Sequence, residues 1–297
     1  MRVIGLSRFL LVVFLSVGSS EMVTAKPLAT STNSVGMTMV RIPAGEFVVN
    51  YEKELPSFLR KEKGLPSQVK LKLSSGFWMA STEVTQAQYV KMTGKNPSQF
   101  PVSEKTSSHP MDSLKLIEMV QFANVLSQQE GLVACYDIKD AKAVPGTGES
   151  IRLKASCDGY RLPTEAEWVY AALGGESYKY AGSDDAAAVG WVEINSGGRP
   201  HPVGQKTSNG YGLYDMTGNL VECVEDRPGF SPEYYRKDVS DPMRKPVGDN
   251  HAVLGGAFVQ GTFGVMDSFY GEPLPGCFSL ARLPILGFRL VRSDSSQ

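Results

Sequence analysis

Gly159-Tyr-Arg-Leu-Pro-Thr-Glu-Ala-Glu-Trp168 and Asn209-Gly-Tyr-Gly-Leu-Tyr-Asp-Met-Thr-Gly-Asn-Leu-Val-Glu222 are the stretches whose reading decides the fold. In the first, Thr164 can cap a helix while Glu167, three positions on, reaches back to the cap, so that two orphan backbone donors are satisfied together. The helix is expected to run over 165–173 and to stop at Gly174-Gly175. In the second, glycines and small polar residues follow one another so closely that the chain must turn tightly beside Asp215, Asn219 and Glu222. Carboxylates next to exposed backbone carbonyls suit a hard, oxygen-seeking cation.

Working outward, Met37 to Val49 alternates apolar and polar residues on either side of Pro43-Ala44-Gly45, which reads as two short strands. Residues 51–68 are rich in Lys, Glu and Pro and read as a surface loop. Alternation resumes over Val69–Leu73 and continues into Gly76–Ala80. Thr85 and Gln88 form a second capping box, and Gly94 supplies a left-handed stop, so a helix is expected over 86–93. A longer helix is expected to open at Asp112 or Ser113 and reach Glu130, with Leu116, Met119, Val120, Ala123 and Leu126 on one side. Beyond residue 175 no segment sustains a helical period, so tertiary contacts must hold the C-terminal half.

The 297 residues are 42% hydrophobic and 9% aromatic, enough for a buried core, and include 30 glycines and 18 prolines, which favour loops. Charges are nearly balanced, 30 basic against 31 acidic, and no basic stripe suggests nucleic acid. Residues 1–25 read as a secretory signal: Arg2 and Arg8, an apolar run from Phe9 to Val17, then Val23-Thr24-Ala25 as the cleavage site. That run is too short to span a bilayer. Removing residues 1–25 takes away Arg2, Arg8 and Glu21 and leaves 28 basic and 30 acidic side chains. The expected organisation is a signal at 1–25, an irregular Ser/Thr-rich arm at 26–36 and one domain over 37–293.

Export makes the four cysteines candidates for disulfides. Cys135 and Cys157 flank the excursion through Pro145-Gly-Thr-Gly148, and a bridge between them would staple a hairpin of 133–138 with 151–156. Cys223 and Cys277 can bridge, sit as buried small hydrophobes or bind a soft metal. The three histidines, His109, His201 and His251, are isolated in sequence. His109 and His201 each precede proline and read as structural, and His251 as a solvated loop imidazole.

The ordered motifs resemble the formylglycine-generating-enzyme (sulfatase-modifying factor) family. They are Met39–Phe47, Glu83–Tyr89, His109-Pro-Met111, Leu126–Gly131, Gly159–Trp168, His201–Gly204, Asn209–Glu222, Gly255-Gly256 and Gly287-Phe-Arg289. The resemblance implies an α+β fold, a variant of the C-type lectin fold with few helices and short antiparallel strands. Carried over residue by residue, a family calcium site falls on Asp215, Gly218, Leu220 and Glu222, with Asn195–Gly198 marking the neighbourhood of another. The alternative is that Asp215 and Glu222 cap turns or pair with Arg289.

The family includes copper-dependent oxidases of cysteine, iron-dependent sulfoxide synthases, a periplasmic pyoverdine-maturation protein and members without known chemistry. Where the oxidases carry their late cysteine pair, this chain has Leu274 and Ser279, neither a soft thiolate ligand. Asn219-Leu-Val-Glu-Cys223 lacks both family indoles, and Gly255-Gly-Ala-Phe258 lacks the family serine. No copper or iron is therefore expected, although Cys277 with Cys223 could rebuild a thiol site. The expected protein is a periplasmic, non-catalytic member that binds a protein partner, such as an immunity protein masking a toxin or an accessory to an exported enzyme. Loops 51–68 and 227–250, the latter with Phe230, Tyr234, Tyr235 and Arg236, are the expected contact surfaces. The alternative is an oxidative tailoring enzyme resembling the pyoverdine-maturation protein. Carbohydrate binding rests on fold analogy alone.

Overall fold

The alternating stretch at 37–49 does form two strands, broken where Pro43 and Ala44 turn the chain. The computed structural model describes residues 27–50, 67–102, 108–138, 151–227, 238–243, 250–259, 265, 277–278 and 282–294. Strand β2 (Thr38–Ile42) lies between β1 (Thr30–Thr32) and β5 (Phe77–Ala80). β15 (Val291–Ser293) and β8 (Tyr160–Arg161) complete an antiparallel sheet in the order β1-β2-β5-β15-β8. The two ends of the described chain thus meet, and Arg41 Nε donates to Asp294 at 2.6 Å.

The Ser/Thr-rich arm expected to be irregular supplies β1. All three of its side chains are exposed, so no apolar alternation marks it, and backbone pairing with the edge of β2 makes it a strand.

A second sheet orders β10 (Val239–Ser240), β4 (Gln68–Leu73) and β3 (Gly45–Asn50). In β4, Val69, Leu71 and Leu73 are buried while the residues between them are exposed, the signature of a strand covering a core on one face. A third sheet orders β12 (Val253–Leu254), β9 (Val221–Cys223) and β14 (Leu286–Gly287). Two small pairs remain: β6 (Tyr136–Ile138) with β7 (Ile151–Leu153), and β11 (Asn250–His251) with β13 (Cys277–Phe278).

Helix α1 (Gln86–Thr93) carries the Thr85–Gln88 capping box and ends on Gly94 at φ 70°. Helix α2 (Leu116–Gln129) starts later than the sequence suggests, because Ser113 takes φ 58° and cannot enter a right-handed helix. The Glu118 carboxylate instead accepts from the Lys115 amide at 2.9 Å and opens the helix there. Helix α3 (Glu165–Leu173) has the expected bounds: Glu167 N donates to Thr164 Oγ1 at 3.1 Å, and Thr164 N donates to Glu167 Oε2 at 2.8 Å. Two four-residue helices follow, α4 (Ala186–Val189) and α5 (Glu193–Ser196), too short to show a period in sequence.

The core has two main parts. One gathers Trp168, Val169 and Ala171 of α3 against Leu71, Met79 and Val291. The other packs Met119, Phe122 and Ala123 of α2 against Leu286, Phe288 and both Cys223 and Cys277. The expected hairpin forms over β6 and β7, with Tyr136 opposite Leu153, and Cys135 and Cys157 are bonded across its base, Cα–Cα 5.2 Å.

Replacing Thr164 by alanine removes the acceptor that opens α3 and is expected to cost about 1 kcal/mol of stability, read as a lowered urea midpoint with unchanged slope.

Candidate functional site

Asn209 joins the two opening stretches. Its side-chain amide donates to the Ala171 and Ala172 carbonyls at 2.7 and 3.0 Å, satisfying the C-terminal end of α3. Its Oδ1 accepts from Tyr211 N and Leu213 N at 3.0 and 3.1 Å, holding the turn that follows. The turn then uses left-handed backbone at Gly212, Asp215, Gly218 and Asn219. At Gly218 a Cβ would lie 2.3 Å from the Trp191 carbonyl oxygen, so both its φ of 78° and this close approach require glycine.

Asp215 on these turns, Glu222 just beyond them in β9 and Glu83 between β5 and α1 gather around the Arg289 guanidinium. Glu83, Asp215, Glu222 and Arg289 are all at most 1% exposed. Arg289 Nε and Nη2 each donate to one oxygen of Glu222 at 2.6 Å. Trp168 Nε1 donates to Glu222 Oε2 at 2.8 Å, and the remaining Arg289 donors reach the Ala80 and Tyr214 carbonyls at 3.2 and 2.9 Å. Asp215 Oδ2 accepts from Gly204 N at 2.7 Å, while its Oδ1 is buried without a partner. Three carboxylates around one cation cannot all stay charged away from water. Burial, with the charges of Asp215 and Glu222, pushes Glu83 well above the ordinary carboxylate range, and burial lifts Asp215 to about 6.

The four residues of the expected calcium site are brought together within one run of turns leading into β9. Glu222 has both oxygens engaged, Oε2 by the Trp168 indole and Arg289 Nε and Oε1 by Arg289 Nη2. The unpartnered oxygen of Asp215 fits a calcium ion. The geometry of Glu222 is that of the alternative reading, a carboxylate paired with Arg289.

Buried apolar groups surround Asn219. Val221 is buried in β9, and Phe258 is 2% exposed, with its ring edge-on to Phe100 at 5.6 Å. Asn219 is the hub beneath: its carbonyl accepts from Phe258 N at 2.9 Å, its side chain from His201 N at 2.9 Å, and its amide donates to the Trp191 carbonyl at 2.7 Å. Cys223 and Cys277, left open between bond, buried thiols and metal, are bonded to each other, and both are 0% exposed. Cys277 Sγ lies 4.0 Å from Met119 Sδ, within the core. A rebuilt thiol site is therefore closed off in this state. Leu274, Ser279, Phe230, Tyr234, Tyr235, Arg236 and nearly all of loop 51–68 lie outside the described residues.

His201 stacks on Trp191 at 3.8 Å and donates from Nε2 to the Ser196 carbonyl at 2.6 Å, a framework role. Lys206 Nζ lies 3.9 Å from the Trp191 ring. His251, expected on the surface, is 2% exposed: β11 pairs it with Cys277 of β13, and its Nδ1 meets the Val224 carbonyl at 3.0 Å.

Sequence reasoning missed a second buried polar unit. Tyr136 Oη donates to Glu225 at 2.9 Å and accepts from Leu162 N at 2.8 Å, and Arg161 forks onto Glu167 at 2.6 and 2.7 Å. Burial raises Glu225 to about 8, against the opposing pull of Tyr136 and Arg161. Glu225 and Asp226 carried no periodicity in sequence, and only their adjacency in a buried strand exit could have marked them.

A model of the sulfatase-modifying factor enzyme 1-like domain matches residues 24–294. The chaperone protein LppX of Paenibacillus barcinonensis is 32% identical over 179 residues, 51% of this chain and 62% of its own length. The formylglycine-generating enzyme of Streptomyces coelicolor is 36% identical over 117 residues, 34% of this chain and 37% of its own. The matches span less than two thirds of the length of these curated relatives. Among solved structures, Treponema denticola variable protein 1 superposes with a TM-score of 0.71 at 27% identity, covering 89% of this chain and 99% of that one. PvdO from Pseudomonas aeruginosa gives 0.63 at 19% identity, covering 91% and 99%, a likeness of fold alone.

Removing one partner of the central ion pair strands a buried charge, so Arg289→Met is expected to cost about 3–5 kcal/mol. Adding Glu222→Gln should recover part of that loss in the same denaturation assay. Glu225 titrates higher in the folded than in the unfolded chain, so the folded state binds the extra proton between the ordinary carboxylate range and about 8. Stability is therefore expected to fall as pH rises through that window. Glu225→Gln, which keeps the Tyr136 hydrogen bond, should flatten the dependence of the urea midpoint on pH between these limits.

Proposed function

Because the chain belongs to the sulfatase-modifying factor enzyme 1-like family, we propose that it is an exported, non-catalytic member that uses the scaffold to bind a protein partner. The observation that carries this reading is the Cys223–Cys277 disulfide. The cysteine nearest the oxidases' thiol positions is bonded to the one that replaces a family indole, with neither exposed. A copper(I) oxidase needs accessible thiolates in that region, and Ser279 and Leu274 offer none.

Two further points support it. The relative from Paenibacillus barcinonensis is named a chaperone protein, which favours an accessory to an exported protein over an immunity protein. The framework residues Asn209, Asn219, Glu222 and Arg289 are all engaged in holding turns, which leaves the loops free to vary without disturbing the core. Phe230, Tyr234, Tyr235 and Arg236 are the proposed contacts, because aromatic and arginine side chains concentrate interface energy.

Affinity capture of the mature protein from the periplasm, in calcium-replete buffer, should recover an equimolar protein complex. Tyr235→Ala is then expected to weaken that complex roughly tenfold or more without shifting thermal stability. Recovery of no partner would overturn the reading. So would stoichiometric copper or iron with oxygen uptake on a siderophore precursor, the behaviour of a tailoring oxidase.

A further inference from the structure

The two disulfides sit in unlike surroundings. Cys223 and Cys277 join β9 to β13 inside the core and are both 0% exposed. Cys135 is equally buried, but its partner Cys157 is partly exposed and lines a surface cleft of about 600 Å³ between the end of β7, the cap of α3 and the residues after β10. A cleft of that size admits a small organic molecule. Of its three acidic residues, Glu167 and Asp294 are paired with Arg161 and Arg41 and Asp241 accepts from the Ser74 amide and hydroxyl, while Lys154 and Arg161 on the same lining offset their charge toward an incoming thiolate. We propose that Cys135–Cys157 is an exchangeable disulfide, opened by attack of an external dithiol on Cys157 from this cleft, while Cys223–Cys277 is closed to the same reagent.

The chemistry balances as ordinary exchange. One thiolate of the dithiol attacks Cys157 Sγ, the Cys135–Cys157 bond breaks, and Cys135 leaves as a thiolate that takes up a proton. The second thiol of the reagent then attacks the sulfur bonded to Cys157 and releases it. Two electrons pass from the dithiol, which ends as its own disulfide. The Lys154 ammonium, on the Ala134 carbonyl at 2.9 Å, lies one peptide from the residue whose sulfur leaves.

The fold around Cys135 does not depend on the bond alone. Lys154 N donates to the Cys135 carbonyl at 2.8 Å. Asn124 brackets Tyr136 on both sides, accepting from its amide at 3.0 Å and donating to its carbonyl at 2.8 Å. The phenol of Tyr136 is held between Leu162 and Glu225. Opening the bridge is thus a local event, whereas reaching Cys223–Cys277 requires the core to part. Exchange at this bond is independent of whether the protein binds a partner.

The test is timed reduction of the folded full chain by limiting dithiothreitol without denaturant, quenched with an alkylating reagent and read by peptide mass spectrometry. Cys135 and Cys157 should be labelled roughly tenfold or more sooner than Cys223 and Cys277. Ala155→Trp, at an exposed position on the cleft wall, should slow labelling of the first pair and leave the second unchanged. Equal rates for the two pairs, or earlier labelling of Cys223 and Cys277, would show that reduction waits for general unfolding and would overturn the proposal. An unchanged rate in the Trp variant would overturn the route through the cleft.

Discussion

The bidentate pair between Glu222 and Arg289 is the constraint on which the rest of the structure depends. Its two oxygens and the Trp168 indole tie β9, the residues before β15 and α3 together at a point that water does not reach. Two charges in such a place are tolerated only because each is almost completely hydrogen-bonded, and removing either would leave the other stranded. The remaining arginine donors close on the Ala80 and Tyr214 carbonyls, so one side chain also fixes the end of β5 and the glycine-rich turn. In a chain with little regular structure beyond residue 175, this polar knot supplies the order that long helices provide elsewhere.

Around it the backbone is bent in ways that ordinary residues resist. Asp215 and Asn219 both take left-handed conformations, uncommon for residues other than glycine, and both are held by hydrogen bonds to Gly204, His201 and Phe258. The same turns that resemble a cation site in sequence serve here to deliver Glu222 to Arg289. A cation-binding pattern and a buried ion pair need similar residues, acids beside tight turns, and they differ only in what stands opposite the carboxylate.

The apolar groups around Asn219 follow the same logic. Val221, Phe258 and the Cys223–Cys277 bond are all buried in the packed interior. Together they make this part of the domain a packed scaffold. The Tyr136–Glu225 unit shows that polar groups persist elsewhere in the core where each has a partner.

Local chemistry decided what could be read from the chain alone. Both capping boxes, the bounds of α1 and α3, the alternation of β4 and the hairpin stapled by Cys135 and Cys157 were legible because each depends on residues close in sequence. The α+β class and family membership were legible for a related reason, since ordered motifs report ordered turns. Strand β1 was hidden because its exposed side chains carry no periodicity, and the late start of α2 because a left-handed Ser113 leaves no mark in composition. The partner of Glu222, the union of Cys223 with Cys277 and the burial of His251 and Glu225 were decided only by tertiary structure. In each, the deciding group lies distant along the chain or beneath another element, and the charge, thiol or imidazole takes its role from what packing places beside it.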